Sequence, residues 1–337
     1  RHERRDPGCA IRDMGCFALV FYNRHLESRI PHLVSRISYR MTTRADADAT
    51  AENPQDGPQP APHVSRFIEA GGLRLRYLDY GTDHENEEKP PMLCLHGGAA
   101  HAHWFDFVAG AFTADYHVRA LDQRGHGDSE WANPPSYAYE RYAADLAEVV
   151  EKLDLRGFVL VGHSMGGTVS LEYAATYPGR VGKLVVVDST LQMTPDRVAA
   201  LRGVGSRQGS HYATKEEFVT RYRLRPAVTL AAPAIIRHLA QASARQFPDG
   251  SWRHKFDRNV YATRETSDGL PRWNHIRIPA LLVKAERSQR ISPQVFAEVK
   301  ARCPQVELAE VPHSDHHVTL DNPAGFTLAV KAFLARQ

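Results

Sequence analysis

The sequence predicts an α/β fold: a mostly parallel eight-stranded sheet flanked by helices, with a helical insertion after the sixth strand. Three observations carry this. Apolar runs of strand length alternate with helix-period segments from about residue 64 onward, the pattern of strands linked by crossover helices. The first two runs lie close together with no helix between them, as in an antiparallel hairpin that opens a parallel sheet. A glycine-flanked serine also stands directly between an apolar run and a helix-like segment.

Taken in order, strands are expected at 65–70, 74–80, 92–96, 117–121, 158–162, 183–188, 280–285 and 306–311. Helices are expected at 139–154, where Tyr142, Leu146, Val149, Val150 and Leu153 recur at helical spacing, and at 165–177 and 323–336. Residues 191–275 break the rhythm with helix-like segments at 196–203, 215–223, 231–246 and 255–264. An insertion there is expected to fold over the carboxyl ends of the strands as a cap. It holds 12 Arg and 2 Lys against 7 acidic residues. The excess suits a solvated surface, or arginines that face a pocket and favour an anionic group. Trp104, Trp252, Trp273 and Tyr261 are candidates for apolar pocket walls or for the cap's own core.

Gly162-His163-Ser164-Met165-Gly166 follows the apolar run Phe158-Val159-Leu160-Val161 and precedes a helix-like segment. This order puts Ser164 on a sharp strand-to-helix turn, where flanking side chains would clash and glycines are needed. A serine hydroxyl needs a base, an orienting acid and oxyanion donors to become a nucleophile. Leu95-His96-Gly97-Gly98 closes an earlier strand, and Asp122-Gln123-Arg124-Gly125-His126-Gly127-Asp128-Ser129 follows the next one. With the serine turn, these motifs resemble the alpha/beta-hydrolase family over about residue 64 to the end. The resemblance implies oxyanion donors at the backbone N–H groups of Gly98 and Met165. Asp122 and Arg124 are expected to tie loops together rather than to do chemistry.

The resemblance also implies the base. Three histidines, His313, His316 and His317, follow the last strand. His316 occupies the family's slot, seven residues before the helix-starting Pro323, and the other two are expected to pack or to hold the loop. An unperturbed imidazole titrates near about 6.5, so activity is expected to rise through roughly pH 6 to 8. No cysteine or His-Glu pair at ligand spacing accompanies the cluster, so no metal is expected, and no organic cofactor either.

The acid departs from the commonest family pattern. The usual aspartate position, after the strand that precedes the histidine, is Ser288 in Ala285-Glu286-Arg287-Ser288. Asp188 at the end of strand 183–188 is the preferred acid, in a spacing similar to that of haloalkane dehalogenases; Glu286 is its rival on the usual loop. Dehalogenases and epoxide hydrolases use a carboxylate nucleophile, which Ser164 excludes. The expectation is therefore a carboxylesterase acting on small to medium esters through Ser164, His316 and Asp188. A lactonase, thioesterase, carbon–carbon bond hydrolase, perhydrolase or slow-turnover receptor would use the same residues.

Composition agrees with a soluble enzyme. The 337 residues carry 42% hydrophobic and 24% charged side chains and a net charge of +3, too little excess for a nucleic-acid surface. Four cysteines, Cys9, Cys16, Cys94 and Cys303, give no disulfide framework, so a reducing, cytoplasmic setting is expected. Residues 1–63 read as an extension and linker outside the hydrolase domain of 64–337, with 42–63 polar, proline-bearing and disordered. Residues 1–40 read as upstream sequence or an amphipathic interaction helix. Their one apolar run, 16–22, falls short of the about 20 residues that a membrane span needs.

Overall fold

The computed structural model describes residues 59–81 and 88–336; the readings for 1–58 fall outside these. Eight strands form one sheet: β1 (Val64–Ala70), β2 (Leu73–Asp79), β3 (Pro91–Leu95), β4 (His117–Leu121), β5 (Phe158–His163), β6 (Val181–Val187), β7 (Ala280–Ala285) and β8 (Glu307–Val311). Their spatial order is β1-β2-β4-β3-β5-β6-β7-β8. β1 pairs antiparallel with β2, and β2 antiparallel with β4; every later pairing is parallel.

The inner strands read as unbroken apolar runs because both faces of the sheet are covered. Leu93, Leu95, Leu160, Leu184, Val186 and Leu282 point to one side. There they pack with helices α1 (Tyr139–Lys152) and α2 (Met165–Thr176) through Leu146, Val149 and Val169. Met92, Cys94, Val159, Val161, Val185 and Val283 point to the other, toward Phe326, Val330 and Phe333 of the C-terminal helix Pro323–Leu334.

Between β6 and β7 the chain forms helices α3 (Pro195–Gly205), α4 (Lys215–Arg221), α5 (Pro233–Ser243) and α6 (Asn259–Ala262). The long helix expected at 231–246 stops at Ser243, because Ala244–Gln246 pairs as a strand with Trp252–His254. The helix expected at 255–264 shrinks to one turn, α6. A further helix, α7 (Pro293–Arg302), was not expected; Ser292 caps it by accepting from the Val295 amide at 3.2 Å.

Asp106 ties α5 to the sheet side of the molecule. Its carboxylate accepts from Tyr80 Oη at 2.7 Å, His103 Nδ1 at 2.9 Å and His238 Nε2 at 2.6 Å. His63, His103 and Asp106 place one ligand atom each within 4.8 Å of one another, yet this carboxylate is already supplied with donors. Asp106 is the centre of a hydrogen-bonded hub.

Candidate active site

In a parallel sheet, neighbouring strands whose connections leave in opposite directions open a crevice at their carboxyl ends. Here β3 has β4 on one side and β5 on the other, so the crevice lies between His96-Gly97-Gly98 after β3 and Ser164 after β5. Ser164 sits at φ +54° and ψ −116°, a strained backbone for a residue with a side chain. The strain is held by close packing around it. A Cβ on Gly162 would lie 2.4 Å from the Gly166 carbonyl oxygen, and one on Gly166 would lie 2.3 Å from that of Leu95. The Ser164 amide donates to the Val187 carbonyl at 2.8 Å, anchoring the turn to β6.

Ser164 Oγ lies 2.9 Å from His316 Nε2, and His316 Nδ1 lies 2.8 Å from Asp188 Oδ2. Three separate segments meet here: the turn after β5, the end of β6 and the loop after β8. Asp188 is 0% exposed and adopts φ +41°, a conformation aspartate tolerates better than most residues. Burial pushes its carboxyl up, opposed by Ser288, by the Arg290 and His163 charges and by the Ala285 amide, which donates to Oδ1 at 3.4 Å. Ser288, the residue in the family's usual acid position, is buried beside this aspartate.

The rivals lie elsewhere. Glu286 is exposed, and its carboxylate accepts from the His313 amide at 2.7 Å. His317 donates through Nε2 to the Pro226 carbonyl at 2.8 Å. Asp122 accepts from Arg76 Nε at 2.6 Å and from the Ala102 and Asp128 amides at 2.7 and 2.9 Å, while Arg124 pairs with Asp145. Both join loops.

Burial, then the charges of Arg290 and His317, hold the His316 imidazole well below the ordinary histidine range. Arg290 was not singled out from the sequence. Its Nε is 2.8 Å from His316 Nδ1 and 3.5 Å from Asp188 Oδ2, and its Nη1 donates to Thr190 Oγ1 at 3.0 Å.

A cavity of about 900 Å³ opens over Ser164 and reaches Gly98, Met165 and His316. Residues from the 191–275 insertion, among them Leu201, Tyr222, Phe256 and Tyr261, form much of its wall. Tyr261 leans over the first backbone turn: a Cβ on Gly98 would meet its Oη at 2.8 Å. Of the four aromatic candidates, Trp104 and Tyr261 line the cavity, whereas Trp273 is fully buried in the core and Trp252 packs beside the second core layer. Among the described residues, no helix is long and apolar enough to cross a membrane.

The chain belongs to the alpha/beta hydrolase fold family, whose pattern it matches over residues 90–323. It is 28% identical over 276 residues to the 2-(acetamidomethylene)succinate hydrolase of Mesorhizobium japonicum, covering 80% of this chain and 95% of that protein. It is 29% identical over 281 residues to an sn-1-specific diacylglycerol lipase of Mus musculus, covering 79% of this chain and 88% of the lipase. An esterase of Mycobacterium tuberculosis is 28% identical over 286 residues, with 82% and 90% covered. The crystal structure of an E-2-(acetamidomethylene)succinate hydrolase superposes with a TM-score of 0.70 at 26% identity, over 81% of this chain and 99% of that one. These relatives are hydrolases, and hydrolysis is the coarse activity that the fold and the family support.

Proposed function

We propose that this protein is a serine carboxylesterase that works through a covalent acyl-enzyme. The observation that carries the reading is the continuous chain from Ser164 Oγ to His316 at 2.9 Å and from His316 to Asp188 at 2.8 Å. In this reading His316 Nε2 takes the Ser164 proton as Oγ attacks the ester carbonyl. Asp188 accepts from Nδ1–H, fixing the tautomer and favouring the imidazolium that forms. The Gly98 and Met165 N–H groups receive the negative charge developing on the carbonyl oxygen. Collapse expels the alcohol with the proton from His316, and water then repeats the sequence to release the acid. Each step balances with these residues and water alone. The same triad would serve a lactone, thioester or activated carbon–carbon substrate.

A panel of p-nitrophenyl esters from two to sixteen acyl carbons tests the reading. Hydrolysis that disappears in Ser164→Ala, with an acyl-enzyme trapped by mass spectrometry, is the expected result. Turnover unaffected by that substitution would overturn it. The same reading places the protein in the cytoplasm, in keeping with Cys94 and Cys303, which are buried as free thiols.

A further inference from the structure

Arg264 is a cation buried where the chain does not neutralise it. The residue is 4% exposed, its Nε has no hydrogen-bond partner, and among the described residues it has no carboxylate partner. Its contacts are with soft or aromatic groups: Nη2 is 3.6 Å from Met165 Sδ, and the guanidinium carbon stands 4.6 Å from the centre of the Tyr139 ring. Its own carbonyl accepts from Arg202 Nε at 2.7 Å, which fixes the backbone behind it. Taking a guanidinium out of water without a counter-ion costs stability. A bound anion would supply what is missing.

The surroundings favour an anion as well. Arg264 lines the cavity over Ser164 with six further arginines and a single carboxylate, Asp257. Asp257 is already committed, accepting from Tyr137 Oη and, at 2.9 Å, from the Asn259 amide. Arg258 also has a buried Nε without a partner. Burial, and then the positive charges of Arg225 and Arg207, depress its guanidinium below the ordinary arginine range. Arg221, Arg253 and Arg290 are ion-paired with Glu217, Asp249 and Asp188, and the four remaining arginines leave the cavity lining with a surplus of positive charge.

We propose that Arg264 anchors a carboxylate on the acyl part of the substrate, so that the preferred substrates are acyl compounds bearing a second, ionised carboxyl group. The inference rests on the serine-hydrolase reading of Ser164. Met165 sets the spacing, because its backbone N–H is the proposed oxyanion donor and its sulfur touches Arg264. The two negative groups are thus separated by about one methionine side chain, which places the carboxylate a few bonds from the scissile carbonyl, as in a half-ester of a short dicarboxylic acid. A planar guanidinium held between a ring and a thioether presents parallel N–H donors, matching a planar carboxylate. A tetrahedral dianion would need donors from more directions.

The test compares mono-p-nitrophenyl glutarate with p-nitrophenyl valerate, an anionic and a neutral acyl group of equal chain length. The wild-type kcat/KM ratio is expected to favour the glutarate by about 10-fold or more, and Arg264→Met to lower that ratio by about 30-fold or more. Arg264→Gln gives the same comparison should the methionine protein fold poorly. A wild-type ratio of one or below, or a ratio that neither substitution changes, overturns the proposal. A second measurement is independent of turnover: glutarate binding to Ser164→Ala by calorimetry, expected to weaken by about 10-fold or more when Arg264→Met is added. Equal binding with and without Arg264, or none to Ser164→Ala, also overturns it. Absence of hydrolysis for both esters, with Arg264-dependent glutarate binding retained, would instead remove the esterase reading and leave the carboxylate site standing.

Discussion

Arg290 and Asp188 approach the same nitrogen of His316. Arg290 Nε and Asp188 Oδ2 each lie 2.8 Å from Nδ1, but one ring nitrogen cannot donate to a carboxylate and accept from a guanidinium at once. If Nε2 is to accept the Ser164 proton, Nδ1 carries a hydrogen and donates to Asp188. Arg290 then faces an N–H, and its attraction is for Asp188 Oδ2 at 3.5 Å. Its positive charge beside the ring disfavours the imidazolium.

Activity should therefore extend further into acid than an ordinary histidine would allow. With the His316 imidazole held well below its usual range by burial, Arg290 and His317, the proposed base stays neutral as pH falls through about 6.5. kcat/KM should be flat there and decline only at lower pH. Arg290→Gln removes a neighbouring cation, so the acid limb should move to higher pH. A limb that stays in place or moves down would show that Arg290 does not act on the imidazole.

Ser164→Ala and His316→Ala should each lower turnover by about 10⁴-fold or more, since the members of the proposed triad would act as a unit. Circular dichroism and melting should report an intact fold. His313→Ala supplies the contrast, because that residue lies at φ +49° with its amide on Glu286. Greater loss from His313→Ala than from His316→Ala would reassign the base.

Asp188→Asn should keep the shape of the site but favour the wrong tautomer of His316, costing about 10⁴-fold, the size of the corresponding serine-protease effect. Glu286→Gln should cost far less, since that carboxylate holds a backbone amide at the surface. Steady-state rates on one neutral ester rank the two variants, and the opposite ranking would move the acid to the later strand.

Stability should fall early on acidification. His96, His101, His126 and His163 are buried, and burial lowers each imidazole from its ordinary range. Between about pH 6.5 and their folded values, the unfolded chain binds more protons than the folded one. Full stability is thus present above about 6.5 and is lost below it, at about 1.4 kcal/mol per pH unit for each histidine. Asp106 and Asp122, whose carboxyls are held low by their hydrogen-bonding and charged partners, add their loss only below about pH 4. Urea midpoints at pH 7.5, 6.5 and 5.5 measure this, and constant midpoints would contradict it.

The sheet was legible because its strands are apolar on both faces, and the turn at Ser164 because its glycines sit where side chains have no room. Strand ends differ from expectation by a residue or two. The insertion was less legible: the pairing of Ala244–Gln246 with Trp252–His254 cuts a helix whose local periodicity gave no warning. α7 carries a readable start in Ser292 before Pro293. Arg264 and Arg290 reach the cavity only through tertiary packing, so no spacing in the chain marks them. An aggregate surplus of arginine was visible; which arginine would be buried without a partner was not.

The hydrogen bond from the Ala285 amide to Asp188 Oδ1 at 3.4 Å means that two neighbouring strand ends share one socket beneath the imidazole. A carboxylate entering from either strand finds the other already shaped to receive it. The negative charge is therefore portable: it can change its address along the chain while the histidine, the serine and the glycine-lined crevice keep theirs. A search that demands the acid at a single sequence position would pass over chains built in this way, although the space around their histidine is the same.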